Sequence, residues 1–124
     1  MNKKELSDRF LNFAASIVLF IEKIGDKIPA RHVAGQLIRA ATSAGANYEE
    51  ACGAESRADF AHKLQISLKE LRETLYWLRL LSRLGFEKEI AALITEGNEL
   101  SNIVAKSVVT VKSKKEDEKR SEFL

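Results

Sequence analysis

The sequence predicts an all-α fold, an elongated up-and-down antiparallel four-helix bundle, and three observations lead there. Apolar residues recur at steps of three and four in four separate series, each marking one face of a helix. Gly numbers six and Pro one among 124 residues, too few for the many tight turns of an all-β chain. Hydrophobic residues make up 45% and charged residues 31%, the balance of an ordinary globular domain, in a chain long enough to bury a core without staples.

The first series is Leu6, Phe10, Phe13, Ile17, Ile21 and Ile24, which places a helix over about 5–25 with Gly25 at its stop. Pro29 suits the first turn of a second helix, over about 30–53, because the missing N–H costs little there. That helix buries Val33, Leu37, Ala40, Ala44, Tyr48 and Ala51, and ends near Gly53. Ser56-Arg57-Ala58-Asp59 resembles a capping box with Asp in place of the usual Glu, which starts a third helix over about 57–84. Its core line is Phe60, Leu64, Ser67, Leu71, Leu75, Leu78 and Leu81, and Gly85 stops it. A fourth helix, over about 87–111, runs through Ile90, Leu93, Ile94, Gly97, Leu100, Val104, Val108 and Val111, with Glu87 and Glu89 favourably placed in its first turn. Residues 1–112 form the bundle, and the charged, aperiodic stretch 113–124 is expected to be a frayed or disordered tail. Short connections force neighbouring helices antiparallel, and helices of roughly 20–28 residues span about 30–42 Å, so the bundle is a rod with much side surface.

Several kinds of chemistry lack their residues. Cys52 is the single cysteine, so no intrachain disulfide or zinc cluster forms, and a buried structural thiol in a reducing compartment is expected. No signal-peptide run or apolar span of about 18 residues is present, which predicts a cytoplasmic protein without a membrane partner. A di-iron bundle needs paired Glu-x-x-His motifs, and Asp59-x-x-His62 is the sole approach to that pattern, so no metal and no cofactor are expected. Nucleophile-elbow, phosphate-loop and dinucleotide motifs are missing. Arg57 and His62 do match the Arg-x4–6-His spacing of helical nucleases of the HEPN superfamily. There the imidazole would act as general base and the arginine would steady phosphate, although a helix start also explains Arg57. The expectation is a protein that is not an enzyme.

Function is therefore sought on the surface. Net charge is +2, but residues 55–85 carry six basic and four acidic groups, and residues 86–111 carry two basic and four acidic. Such helices attract each other, or else the basic one faces a ligand. On the third helix Lys69, Arg72, Tyr76, Arg79 and Arg83 share a stripe, and within that helix Arg72, Arg79 and Arg83 have no acidic residue three or four positions away. Guanidinium groups beside an aromatic suit phosphate and base contacts, while pairing with Glu89, Glu96 or Glu99 is the competing outcome. Lys63 is an outlying candidate. Ile66, Trp77, Leu80 and Leu84 form a second apolar group opposite the core arc, read as a subunit interface or else as a wide core contact. On the second helix Gln36, Ser43, Asn47 and Glu50, with Arg39 behind, form a polar seam against another helix or subunit, and Gly45 with Ala41 and Ala46 marks a tight helix contact.

Three strings carry a resemblance. Gln36-Leu-Ile-Arg39-Ala-Ala-Thr-Ser43-Ala-Gly-Ala-Asn47-Tyr-Glu-Glu50-Ala is followed by Glu55-Ser-Arg-Ala-Asp59-Phe-Ala-His-Lys63-Leu, and then by Leu68-Lys-Glu-Leu-Arg-Glu73 with Tyr76-Trp-Leu-Arg-Leu-Leu81. Over about residues 6–112 the chain resembles the four-helix-bundle family of 23S rRNA-intervening-sequence proteins, which includes the accessory variability proteins of diversity-generating retroelements. The resemblance is most specific in the second and third helices. It implies an up-and-down bundle assembled as a ring, typically a pentamer. For the retroelement branch it also implies a basic surface that binds RNA or DNA and a reverse transcriptase partner.

The resulting expectation is a non-enzymatic homo-oligomer, by resemblance a pentamer, that binds nucleic acid or a nucleic-acid-handling protein. Lys63, Lys69, Arg72, Tyr76, Arg79 and Arg83 are the candidate contacts to nucleic acid. Gln36, Arg39, Ser43, Asn47, Glu50, Ile66, Trp77, Leu80 and Leu84 are the candidate subunit contacts. A structural or adaptor bundle without a nucleic-acid role is the main alternative, and a ribonuclease using His62 the third.

Overall fold

In the computed structural model the described residues are 1–27 and 31–123, with side chains described except at 115, 116, 118, 119 and 121–123. Helix α1 spans Lys3–Ile24, α2 Arg31–Cys52, α3 Arg57–Leu81 and α4 Glu87–Phe123, and no strand occurs among the described residues. Each helix packs on its two neighbours in a closed circuit, α1 on α2 and α4, and α3 on α2 and α4. Chain direction alternates around that circuit. Phe10 near the start of α1 stacks on Tyr48 near the end of α2, and Phe20 near the end of α1 meets Phe86 just before α4. The fold is the expected antiparallel four-helix bundle.

Local chemistry sets the boundaries. Asn2 caps α1 by accepting from the Glu5 N–H at 2.8 Å, and Ser56 caps α3 by accepting from the Asp59 N–H at 3.1 Å, as the capping-box reading required. Gly25 ends α1 at φ 53°, and its N–H donates to the Ile21 carbonyl. A short 3-10 turn, Gly25–Lys27, follows. The reading of Pro29 and Ala30 as the start of the second helix lies outside the described residues. Between α3 and α4 a wide turn, Ser82–Phe86, reverses the chain, and Gly85 at φ 104° takes a conformation that a β-carbon disfavours.

The core follows most of the apolar series, with Leu93, Ile94 and Val111 of α4 half-buried beside it. Phe20, not Ile21, continues the buried line of α1 after Ile17, while Ile21 and Ile24 are half-buried beside it. Both positions fall within the core arc, and Phe20 fills the place against Phe86. Phe60 is likewise half-buried, at the entrance of α3. Helix α4 continues well past Val111 to Phe123, where a frayed or disordered tail was expected from residue 113. That stretch lacks an apolar period, but it also lacks Gly and Pro and is rich in Lys, Glu and Arg, all good helix formers. Apolar periodicity reports burial, and a helix that extends beyond its bundle carries none.

Two close approaches lock the packing. A β-carbon on Gly45 would lie 3.4 Å from Phe10 Cβ, so α1 and α2 meet closely there, as the small residues implied. A β-carbon on Gly97 would lie 2.9 Å from Leu75 Cδ2 and 3.2 Å from Phe13 Cζ, so this glycine lets α4 settle onto α3 and α1. Between α2 and α3 the buried Ser67 hydroxyl donates to the Ala44 carbonyl at 2.8 Å, so this buried polar group is satisfied.

Candidate nucleic-acid interface

Lys69, Arg72, Tyr76, Arg79 and Arg83 follow one another at helical spacing along α3 and into the turn after it, and all five are exposed. Their freedom depends on what the neighbouring carboxylates do. Glu70 takes Arg39 of α2 at 3.1 Å, and Glu73 pairs with the same guanidinium. Glu73 also accepts from Trp77 Nε1 at 3.2 Å, so it is committed to α2 and to its own helix and not to Lys69. Of the three candidate partners from α4, Glu96 and Glu99 are both held by Arg9 of α1, and Glu89 makes no ion pair with the row among the described residues. Among the described residues, Lys69, Arg72, Arg79 and Arg83 have no carboxylate within ion-pairing distance. A row of four exposed, unneutralised cations results.

Near its upper end the row opens into a shallow depression of about 210 Å³ lined by Tyr76, Arg79, Leu80 and Arg83. Tyr76 is 55% exposed and meets Trp77 edge-on, with ring centres 5.0 Å apart. Trp77 is fixed in turn by its bond to Glu73 and by the edge of His32, at 5.8 Å from the first turn of α2. The antiparallel register of α2 and α3 builds this aromatic cluster. Nothing in the local sequence around His32 pointed to it.

The remaining candidates lie elsewhere. Lys63 holds Glu50 at 2.6 Å, and that hydrogen bond raises its pKa. Gln36 accepts from Arg39 Nε at 3.0 Å, and Asn47 Nδ2 donates to the Ser43 carbonyl and hydroxyl at 2.9 and 3.2 Å. Arg39 and Glu50 thus tie the polar seam of α2 to α3 of the same chain. Ile66, Trp77 and Leu80 are half-buried, the latter two packed against the core. Leu84 is exposed at 44%. Sequence reading missed the largest exposed apolar residues of α1, Leu11 at 69% and Leu19 at 64%. Leu11 borders an apolar groove of about 430 Å³ between α1 and α2, and Leu19 one of about 420 Å³ between α1 and α4. Their signal was there, as leucines off the core line of the first helix.

Arg57 and His62 lie exposed at the opposite end of α3 from the depression. No three His, Cys, Asp or Glu side chains converge as a metal site among the described residues, and no helix among them is long and apolar enough to cross a membrane.

The molecule is thus a helical bundle with a cationic ridge on one helix. The chain belongs to the 23S rRNA-intervening sequence protein family, whose model matches residues 3–106. Among solved structures it is similar to a protein of unknown function from the S23 ribosomal protein family of Bacteroides thetaiotaomicron. The two share 34% sequence identity and a TM-score of 0.78, over 87% of this chain and 98% of the other. No curated protein matches the chain.

Proposed function

We propose that this protein is a non-enzymatic, homo-oligomeric bundle of the cytoplasm that binds nucleic acid along the outer face of α3, alone or with a nucleic-acid-handling protein such as a reverse transcriptase. One observation carries the reading. Among the described residues, Lys69, Arg72, Arg79 and Arg83 are exposed with no carboxylate within ion-pairing distance, while Glu70 and Glu73 are engaged by Arg39 and Glu96 and Glu99 by Arg9. Aligned cations of this kind track a phosphate backbone and release counterions on binding. Assembly into a ring, a pentamer by family resemblance, would repeat the row around the particle and multiply weak contacts.

The test is fluorescence anisotropy with a structured RNA and a DNA duplex at about 50 and 200 mM salt, where multi-phosphate binding weakens steeply with salt. Arg72→Glu combined with Arg79→Glu should abolish binding with helix content and oligomer intact. Unchanged binding rejects the row as the contact surface. The second reading, an adaptor that binds protein alone, draws support from Leu11 and Leu19 beside their apolar grooves. On that reading the arginines make inter-subunit ion pairs, and the double variant loses the oligomer instead.

A further inference from the structure

We infer that the depression at Tyr76 receives an unpaired nucleotide, with the base stacked on the Tyr76 ring and its phosphates held by Arg79 and Arg83. The inference rests on the nucleic-acid reading above and narrows it from any polyanion to one with a free base. The cation row by itself does not discriminate, since paired and unpaired strands both present phosphates. The depression adds an exposed aromatic ring and the apolar flank of Leu80 directly beside two guanidinium groups. In a duplex the base faces are covered by their neighbours, so only an unstacked base can use such a ring.

The ring is also held in place. Tyr76 abuts Trp77, which is half-buried against the core, bonded to Glu73 and edged by His32. Glu73 is in turn anchored by Arg39 from α2. A ring supported in this way loses little freedom when a base covers it. Arg79 on the last turn of α3 and Arg83 in the turn that follows both line the depression, so two guanidinium groups can meet the phosphates of one strand there. An acidic peptide would satisfy the arginines but has no need of a flat aromatic face.

Trp77 is the chain's one tryptophan, so its fluorescence reports directly on the cluster. The full chain is titrated with oligouridine and with a blunt RNA duplex of equal length, followed by anisotropy and by tryptophan emission, with an oligoglutamate peptide as the third ligand. Oligouridine should bind more tightly than the duplex and change the Trp77 emission. Tyr76→Ala should weaken oligouridine by about tenfold, the scale of one lost stacking contact, and leave duplex binding within about twofold. Tyr76→Phe should retain wild-type affinity, which separates stacking from loss of fold, and Arg79→Glu should weaken both RNAs. Equal affinity for the two RNAs, or a Tyr76→Ala loss that is absent or equal for both, overturns the stacking inference while leaving nucleic-acid binding in place. Failure to bind either RNA, or oligoglutamate binding as tightly as oligouridine, overturns both.

Discussion

Arg9 of α1 grips Glu96 of α4 through two guanidinium nitrogens, with Nε 3.1 Å from Oε2, and reaches Glu99 at 3.1 Å as well. The hydrogen bond to Glu96 is the main reason that the Arg9 pKa is raised above the ordinary arginine value. The pairing closes the bundle where its first and last helices meet. It also commits two carboxylates of α4 to α1, as Arg39 commits Glu70 and Glu73 of α3 to α2. Arg9→Ala should lower stability by about 0.5–1 kcal/mol, the range for partly screened ion pairs, with a smaller loss at high salt. Urea unfolding at two salt concentrations reads both.

Two glycines should respond oppositely to a methyl group. Gly35 lies on an exposed turn of α2 with open space around its absent β-carbon, so Gly35→Ala should stabilise by about 0.5–1 kcal/mol through helix propensity. Gly97→Ala would press on Leu75 and Phe13 and should cost about 1–3 kcal/mol. Thermal denaturation of the pair decides it, and a stabilised Gly97→Ala would show that α4 has room to move off α3.

Alkaline pH should loosen the bundle through Tyr48. Burial, reinforced by a hydrogen bond with Cys52, raises its pKa above the ordinary tyrosine value of 10.0. The buried phenol stays protonated while the unfolded chain ionises near pH 10. Its contribution is therefore fully present below that value and is lost as pH rises through the higher folded pKa. The fall in Tm between about pH 9 and pH 11 should be smaller in Tyr48→Phe than in the wild type.

Ser67 is a polar residue on the core line of α3, and its bond to the Ala44 carbonyl explains why it is tolerated there. Ser67→Ala should cost about 1 kcal/mol, the net value of such a bond, without changing the fold. Equilibrium unfolding with an unchanged m-value would bear that out.

Sequence alone determined the four helices, their order and nearly all of the core. Steps of three and four at Leu37, Leu64, Leu71 and Leu100 report burial of one helix face, and Ser56 and Gly85 punctuate the chain through local hydrogen bonding and backbone freedom. It also placed Lys69, Arg72, Tyr76, Arg79 and Arg83 on one stripe, because spacing within a helix is a local property. Tertiary structure alone decided which charges were left over. That Glu73 turns to Arg39 and Trp77, that Glu96 turns to Arg9, and that His32 meets Trp77 all depend on the register between helices far apart in the chain. The same register half-buried Trp77 and Leu80 and left Leu11 and Leu19 outside. Helix formation follows from each residue's near neighbours in the chain, whereas the pairing of surface charges is a competition among distant side chains that only the packed bundle resolves.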